Sequence, residues 1–435
     1  MSDYIYILES HLSPDQNQVL GEVMGAAGQA NLNLFLTGGA MRDMLAGLRI
    51  RDLDFVVEGA ALKLAKTVAD HSGARIVSAD EERKSAELEF PTGATAQIAM
   101  SRQEKYPRGG GKPQITPATI QEDLRGRDFT CNAIALSLNK TSRGLLLDPL
   151  NGLADIERHE LRAVSAYGFY DDPTRLLRLV RLGVRLGFST EERTAMQVAN
   201  AREAAVEKAI PPRALGAELK LIGVEPNAAG IIEALAQAGM LALFSPALAE
   251  SNAHSAGLAK FEKIARMLPD EAAARAARFG PFMFALTEKL SPREKQTLAK
   301  YLEFSKADTN QWLQLEARSK KLVGALRSPR IRKPSQVYRL VSAAPPDQVM
   351  FLLYASPLRP VQDRLRAYFQ KYLPAIEEIT PEEWATVETK PGRQQKAREE
   401  FIANRLDRRP PRKPEPDPPP PPPPPPEPFM ARRTR

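Results

Sequence analysis

The 435-residue sequence contains a single cysteine, Cys131, and only four histidines. One cysteine cannot form an intramolecular disulfide or a zinc site built from several thiolates, and the histidines show no metal-ligand spacing. No apolar run approaches the ~18 residues of a membrane span, and residues 1–10 lack the basic and apolar regions of a signal peptide. These features predict a cytoplasmic protein with a buried, inert cysteine, no disulfide partner and no membrane partner.

The charge of the chain is moderately basic. Lys+Arg number 61 against 53 Asp+Glu, which gives a formal charge of +8 and a pI near 9.4. This balance favours a polyanionic partner over an acidic small molecule alone. Part of the excess lies near the C-terminus, so the charge by itself does not establish a nucleic-acid partner.

The pattern of apolar residues changes along the chain. Strand and helix signals alternate between Leu32 and about Asn139, whereas residues 171–405 are punctuated by prolines and read as helical. Residues 103–119 contain three glycines in a row and three prolines, which predicts a loop. Nine consecutive prolines from Pro418 to Pro426 predict a stiff polyproline II spacer of about 28 Å that cannot form a core.

The most informative segment lies near the N-terminus. An apolar strand runs into Gly38-Gly39, whose small residues let backbone N–H groups approach an anion at the start of a helix expected at about Ala40. Alternation over residues 51–57 predicts a strand that places Asp52 and Asp54 on one face. Two neighbouring carboxylates repel each other, and a divalent cation such as Mg²⁺ relieves that repulsion.

Two further clusters carry groups that suit a nucleotide. In the first, Arg127 can bind a phosphate through its fork of donors, while Asp128 and Asn132 offer groups for ribose hydroxyls. In the second, Asp172 and Pro173 predict the start of a helix. Three arginines on that helix lie one turn apart and share a face, namely Arg175, Arg178 and Arg181.

The three clusters together resemble motifs of the nucleotidyltransferases of the DNA polymerase beta superfamily. The similar class is that of the class II tRNA nucleotidyltransferases, which contains bacterial CCA-adding enzymes and bacterial poly(A) polymerases. The resemblance extends over about Leu34 to Pro246, and Arg213 with Glu218 and Leu219 is similar to the helix-stabilising motif of that class.

The resemblance implies a set of residue roles. Asp52 and Asp54 would hold catalytic Mg²⁺. The residues implied to bind the nucleotide are Gly38, Gly39, Arg42, Arg127, Asp128, Asn132, Asp172, Arg175, Arg178 and Arg181. Within that set, the positions matching Asp172 and Arg175 would read the incoming base, because a carboxylate and a guanidinium can favour C and A over U and G. Arg178 would then face the triphosphate.

The same resemblance implies an α+β fold. A polymerase-beta-like nucleotidyltransferase head with a small mixed sheet would occupy residues 1–147, and all-α neck, body and tail would follow. The neck with the nucleotide-reading helix is expected at 148–210 and the RNA-binding body and tail at 211–405. Residues 406–435 are expected to be a disordered proline-rich tail.

Two positions depart from the family pattern. Gln97 stands where related enzymes often carry a third carboxylate, and a glutamine can ligate a metal but cannot take a proton. Either the two aspartates suffice, with Glu87 or Glu89 supplying charge from a neighbouring strand, or catalysis is slow. Gly126 stands where the family usually has an arginine, for which Arg125 could compensate.

The implied function is Mg²⁺-dependent addition of CMP and AMP, from CTP and ATP, to the 3′ end of tRNA. Three alternatives stay open: a poly(A) polymerase, an enzyme that adds only CC or only A, and a catalytically weak RNA-binding protein on the same scaffold. The segment from Val57 to Leu62 favours tRNA end maturation over poly(A) synthesis, because it is similar to the tRNA-directed subgroup.

Overall fold

The computed structural model describes residues 4–107, 109, 111–250, 254–269, 272–387 and 394–408. The proline run predicted as a stiff spacer lies outside these residues. No helix in the described part of the chain is both long and apolar enough to cross a lipid bilayer.

A seven-stranded mixed sheet dominates the N-terminal part, as the predicted α+β fold requires. Its strand order is β3-β4-β5-β2-β1-β8-β9, and β2 and β5 run parallel while the other neighbours run antiparallel. The strands of this sheet are β1 (Asn33–Thr37), β2 (Leu53–Glu58), β3 (Arg75–Asp80), β4 (Ser85–Glu89), β5 (Thr95–Met100), β8 (Ala135–Ser137) and β9 (Leu146–Leu147). Two small two-stranded sheets are formed by β6 (Arg102–Lys105) with β7 (Gln114–Pro117) and by β10 (Glu160–Leu161) with β11 (Ser189–Thr190).

Helices accompany the sheet and form most of the rest of the described chain. The first ten helices are α1 (Tyr4–His11), α2 (Pro14–Gln29), α3 (Gly38–Leu45), α4 (Ala61–Ser72), α5 (Ile120–Arg125), α6 (Gly152–Glu157), α7 (Gly168–Asp171), α8 (Thr174–Leu186), α9 (Glu192–Glu203) and α10 (Pro212–Gly223). The next helices are α11 (Ala228–Gln237), α12 (Pro246–Glu250), α13 (His254–Ala265), α14 (Ala272–Ala276), α15 (Phe279–Leu286), α16 (Pro292–Tyr301) and α17 (Lys306–Leu313). The last helices are α18 (Leu315–Arg327), α19 (Pro334–Ser342), α20 (Pro346–Ala355), α21 (Arg359–Ala367), α22 (Leu373–Glu377), α23 (Pro381–Ala385) and α24 (Gln394–Asp407). Short 3₁₀ turns lie at Thr130–Asn132, Val206–Ala209 and Leu241–Leu243, and a π-turn lies at Tyr368–Tyr372.

The alternation of strand side chains divides the buried residues between the two faces of the sheet. Leu34 and Leu36 of β1 join the large core that also contains apolar residues of α2, α3 and α4. Phe35 and Val56 point to the opposite face, where they pack with Leu124 of α5 in a smaller cluster. The sheet is therefore covered on both faces.

Local signals set several helix boundaries. Ser13 caps α2 by accepting a hydrogen bond from the backbone N–H of Gln16, and the side chain of Gln16 accepts one from the Ser13 N–H. Such a reciprocal capping box satisfies two backbone donors that a helix start leaves unpaired. The capping box therefore fixes the start of α2 at Pro14.

Three boundaries differ from the sequence prediction. β2 begins at Leu53, so Asp52 lies just before the strand, and α3 begins at Gly38 instead of Ala40. Residues 103–119, predicted as a loop, contain most of the antiparallel hairpin β6–β7. The glycines and prolines fall mainly between the two strands, where a turn needs them, and so they did not prevent the flanking segments from pairing.

Gly152 permits a close approach between α6 and the turn Thr130–Asn132. A Cβ atom at Gly152 would lie 2.1 Å from the carbonyl oxygen of Thr130. We expect Gly152→Ala to destabilise the protein by about 1–3 kcal/mol, because the backbone of the turn must shift. Urea unfolding followed by circular dichroism measures the loss.

The matched control is Gly21→Ala in α2, where a Cβ atom would meet nothing within 4 Å. This change should stabilise the helix by about 0.5–1 kcal/mol, since alanine restricts the unfolded chain more than glycine does. Equal stability of the two variants would contradict the packing inferred at Gly152.

Candidate active site

The two aspartates predicted as metal ligands lie together at the start of β2. Asp52 is exposed, and its Oδ1 accepts a 2.6 Å hydrogen bond from the hydroxyl of Thr95, the first residue of the neighbouring strand β5. Asp54 is half-buried and accepts a 3.0 Å hydrogen bond at Oδ2 from the backbone N–H of Gly39. Each carboxylate thus has one oxygen oriented by the protein and a second oxygen that can meet a cation.

The surroundings of Asp54 disfavour its ionised form, which a nearby cation would stabilise. Burial, followed by the charge of Asp52, raises its pKa from 3.8 to about 6, although nearby arginines act in the opposite direction. A raised carboxyl pKa contributes folding stability below the ordinary value, and that contribution is lost as the pH rises through about 6. At neutral pH the ionised Asp52–Asp54 pair is therefore unfavourable in the absence of a counter-ion.

The glycine pair fits closely around Asp54. Gly38 has a φ of 63°, in the left-handed region, and opens α3. A Cβ atom at Gly38 or Gly39 would lie 3.3 Å or 3.1 Å from Oδ2 of Asp54. These glycines therefore bring the first turn of α3 against the aspartate, and the Gly39 N–H predicted to meet a phosphate is directed at the carboxylate.

The strand pairing places Gln97 beside Asp54. Gln97 of β5 is the direct partner of Asp54 on β2, and Glu87 of β4 is the direct partner of Gln97. Directly paired residues share a face of the sheet, with strands about 4.8 Å apart. Glu87 is therefore two strands from Asp54, and its carboxylate accepts a hydrogen bond from Ser78.

The oxygen atoms of this site suit a divalent cation that also binds water or phosphate. Within the described residues, no group of three or more His, Cys, Asp or Glu side chains is placed to hold a metal ion. Two carboxylates and the amide oxygen of Gln97 are hard oxygen ligands, and Mg²⁺-type sites commonly complete their shell with water and phosphate. The residues present therefore fit a divalent cation whose remaining ligands come from outside the protein.

Arg127 lies on the rim of this site. Its Nε donates to Oδ1 of Asp123 at 2.7 Å, and its guanidinium is partly exposed. A Cβ atom at Gly38 would lie 3.9 Å from Nη1 of Arg127, so the arginine stands next to the glycine turn. The bonds to Asp123 fix the position of the Arg127 guanidinium beside the two aspartates.

The other residues of that cluster are joined to α3 and α8. Asn132 donates to Asp128 at 2.9 Å and accepts from Nη1 of Arg42 at 2.7 Å. Burial would raise the pKa of Asp128, yet the ion pair with Arg178 and the hydrogen bond from Asn132 hold it well below its ordinary value. Arg42 is itself buried and also donates to Asp43. The nucleotide roles of these residues stay predictions.

The proposed base-reading pair lies at the start of α8. The helix begins at Thr174, and Oδ1 of Asp172 accepts hydrogen bonds from the Thr174 N–H and hydroxyl. Arg175 donates to the backbone carbonyls of Gly126 and Arg127 at 3.2 Å and 3.3 Å. Gly126 thus contributes a carbonyl contact to Arg175 at the place where a side-chain arginine was expected.

A closed ring of buried and half-buried polar side chains connects these elements. We define the charge ring as Arg42, Asp43, Arg185, Glu225, Arg181, Glu218, Arg178, Asp128 and Asn132. Four arginines face four carboxylates in it, so the charges balance. The ring joins α3 and the Thr130–Asn132 turn of the head to α8, α10 and Glu225.

Arg181 is one of the arginines predicted to share a face of α8, and the structure places it in the charge ring. It is buried and pairs with Glu218 at 3.0 Å and Glu225 at 3.4 Å. Sequence reasoning did not find Arg185 or Glu225, although Arg185 continues the same helical spacing beyond Arg178 and Arg181. Extending the periodicity by one turn would have identified it.

Cys131 is buried beside this ring, as predicted. Burial raises the pKa of its thiol to about 12. A thiol with so high a pKa is protonated at neutral pH and is a poor nucleophile.

The sequence also matches known proteins. Residues 34–162 match the poly A polymerase head domain. An A-adding tRNA nucleotidyltransferase of Halalkalibacterium halodurans is 37% identical over 225 residues, which are 51% of this chain and 52% of the relative. A CC-adding tRNA nucleotidyltransferase of Deinococcus radiodurans is 37% identical over 218 residues (50% and 57%), and a CCA-adding enzyme of Bordetella pertussis is 32% identical over 236 residues (52% and 60%).

The solved structures extend the similarity of the fold. A tRNA nucleotidyltransferase complexed with a primer tRNA and an incoming ATP analog superposes with a TM-score of 0.52 at 24% identity, covering 82% of this chain and 99% of that chain. Residues 34–162 of the protein therefore combine a mixed sheet with a match to the poly A polymerase head domain. Over about half of its length the chain is similar to tRNA nucleotidyltransferases. The chain spans about half the length of the curated relatives named here.

Glu218 is the point of the charge ring at which a substitution is most informative. It pairs with both Arg178 and Arg181, and it is buried. We expect Glu218→Gln to cost about 3 kcal/mol, because removing one partner leaves buried arginines incompletely neutralised. Denaturant unfolding followed by circular dichroism gives the difference.

An exposed pair provides the comparison. Glu400→Gln removes the partner of Lys396 in α24, where both side chains are largely exposed at 3.9 Å. Such a surface pair should change stability by less than about 1 kcal/mol. A Glu218→Gln protein as stable as Glu400→Gln would contradict the structural importance of the ring.

Proposed function

We propose that this protein is a template-independent RNA nucleotidyltransferase that adds CMP and AMP, from CTP and ATP, to the 3′ end of tRNA. The observation that carries this proposal is the pair Asp52 and Asp54 at the start of β2, with the glycine turn and Arg127 beside it. The match of residues 34–162 to the poly A polymerase head domain and the names of the relatives support the choice of tRNA as substrate.

Mg²⁺ is the proposed metal, because the site offers carboxylate and amide oxygens. Asp52 and Asp54 would hold it through the oxygens that Thr95 and Gly39 leave available. When bound, the metal ions would position a 3′-hydroxyl for attack on the α-phosphate and neutralise charge on the departing pyrophosphate. The protein orients the carboxylates and keeps Arg127 close to the accumulating negative charge.

Nucleotide recognition is proposed for residues that neighbour the charge ring in the sequence and in the fold. Gly38, Gly39 and Arg127 face the proposed triphosphate position, and Asp172 with Arg175 would read the base. Because Arg175 donates to the carbonyls of Gly126 and Arg127, base reading by its guanidinium requires exchanging at least one of those bonds for the base. Arg42 and Arg181, which are buried, would act by fixing the neighbouring groups.

The proposed division of labour follows the elements of the chain. Residues 1–147 would form the catalytic head, 148–210 the neck with the reading helix α8, and 211–405 the RNA-binding body and tail. The balanced charge ring, which includes Glu218 and Glu225 of the proposed body, supports a fixed relation between catalysis and base reading.

Incorporation of labelled CTP and ATP into tRNA lacking its 3′-terminal nucleotides tests the function directly. Addition of both nucleotides supports the proposal, whereas C alone or A alone would indicate a CC-adding or an A-adding enzyme. Long A tails would indicate a poly(A) polymerase. No incorporation, with tRNA binding retained, would indicate an RNA-binding protein on this scaffold.

Asp54→Asn should leave folding and tRNA binding nearly intact and lower turnover by at least about tenfold, a loss of ~1.4 kcal/mol or more. The physical reason is the removal of one ionised metal ligand. Asp70→Asn, which changes an exposed aspartate on α4, is the control and should retain wild-type turnover. Turnover of Asp54→Asn close to that of the control would reject the metal role.

Gln97→Asp tests the third ligand position. Since Gln97 is the direct strand partner of Asp54, a carboxylate there adds a full charge next to the proposed metal. We expect the Mg²⁺ concentration for half-maximal turnover to fall and turnover at limiting Mg²⁺ to rise. Gln114→Asp on the separate hairpin adds the same charge elsewhere. An identical Mg²⁺ titration for both variants would exclude Gln97 from the site.

A further inference from the structure

An arginine of the helical body reaches across to the proposed metal-binding aspartates. Arg275 lies on α14, more than two hundred residues from Asp52 in the sequence. Its Nη1 is 3.6 Å from Oδ2 of Asp52, and its Nη2 donates to the backbone carbonyl of Arg51 at 3.3 Å. The Arg275 side chain is only 12% exposed, whereas that of Asp52 is 53% exposed, so the arginine is covered and the carboxylate still meets solvent.

Arg275 faces Oδ2 of Asp52, the oxygen through which this aspartate would bind a metal ion. Oδ1 of Asp52 is bound by the Thr95 hydroxyl, which leaves Oδ2 as the oxygen available to a cation. The guanidinium stands at that oxygen, and its second nitrogen is held by the carbonyl that immediately precedes Asp52 in the chain. A cation bound at Oδ2 and a guanidinium at the same place would repel each other.

The surroundings of α14 allow the arginine to withdraw. α14 has five residues, and its last residue, Ala276, accepts a 3.4 Å hydrogen bond from Gln311 of α17. A cavity of about 440 Å³ is lined by Ala276, Ala277 and Gln311 among other residues. Since Ala274 of this short helix is buried, a displaced Arg275 would either turn its side chain towards the cavity or move α14 with it.

We propose that Arg275 is a built-in counter-ion of Asp52 that a metal ion displaces, so that metal binding in the head is coupled to the position of α14 in the body. The inference rests on the proposed metal role of Asp52 and Asp54. In the metal-free protein Arg275 neutralises part of the repulsion between these aspartates, and in the metal-bound protein the cation takes over that task. The metal then binds less tightly than it would without Arg275.

Mn²⁺ binding to the full chain, measured by electron paramagnetic resonance without RNA or nucleotide, tests the exchange. Arg275→Gln should bind Mn²⁺ about threefold to tenfold more tightly than wild type, as expected for removing one competing unit charge at a partly exposed carboxylate. Arg275→Lys keeps the charge and should stay nearer to wild type. Arg266→Gln, on an exposed arginine of the same body, is the matched control and should leave the affinity unchanged.

Hydrogen exchange adds a readout that needs no substitution of Arg275. Amide exchange in α14 of the wild-type protein should rise when Mn²⁺ saturates the site, and Asp52→Asn should show the faster exchange without metal. Exchange in α14 that is indifferent to Mn²⁺, or an Arg275→Gln affinity equal to or weaker than wild type, would overturn the inference.

The possible failures are distinguishable. If wild type binds Mn²⁺ and Asp54→Asn does not, while Arg275→Gln matches wild type, the metal role stands and only the displacement of Arg275 is rejected. If neither wild type nor Arg275→Gln binds Mn²⁺, the metal role of the aspartates and the displacement of Arg275 are both rejected.

Discussion

The charge ring between α3, the Thr130–Asn132 turn, α8 and α10 is the constraint on which the site depends. Its charged members pair with opposite charges, so the burial of Arg42 and Arg181 and the half-burial of Arg178 and Arg185 are tolerated. Because Arg42 and Asn132 precede residue 147 while Arg178 and Arg181 belong to α8, the ring sets the distance between the aspartates and the residues proposed to read the base. A buried ion network of this kind gives specific geometry more than net stability.

The segment before Asp52 is a second junction. Its backbone carbonyls accept hydrogen bonds from Gln16 of α2, and Arg51 pairs with Glu225 at 2.9 Å. Arg275 adds a contact from the body to the same segment. Elements of the proposed head and of the proposed body therefore meet at the residues that precede Asp52, so a movement of either can reach the proposed metal site through the backbone.

The two departures from the family pattern have different structural consequences. Gln97 faces the site next to Asp54, where an amide oxygen can ligate but adds no charge. The proposed metal would therefore bind to a less negative site than one with three carboxylates. Gly126 contributes its carbonyl to Arg175, so this position still contacts the reading helix, but through the backbone.

The sequence by itself determined the elements and the chemical groups. Period-two alternation placed Asp54 on β2, and the resemblance of three motifs to a known family implied the mixed-sheet head and the residues proposed for the site. Only the tertiary structure decided which arginines are exposed and which form ion pairs, since their partners Glu218, Glu225 and Asp43 come from separate elements. Helical spacing shows that Arg175, Arg178 and Arg181 share a face, but it carries no information about the carboxylates that fold against that face. The same limit applies to Arg275, whose contact with Asp52 joins distant segments that no local pattern relates.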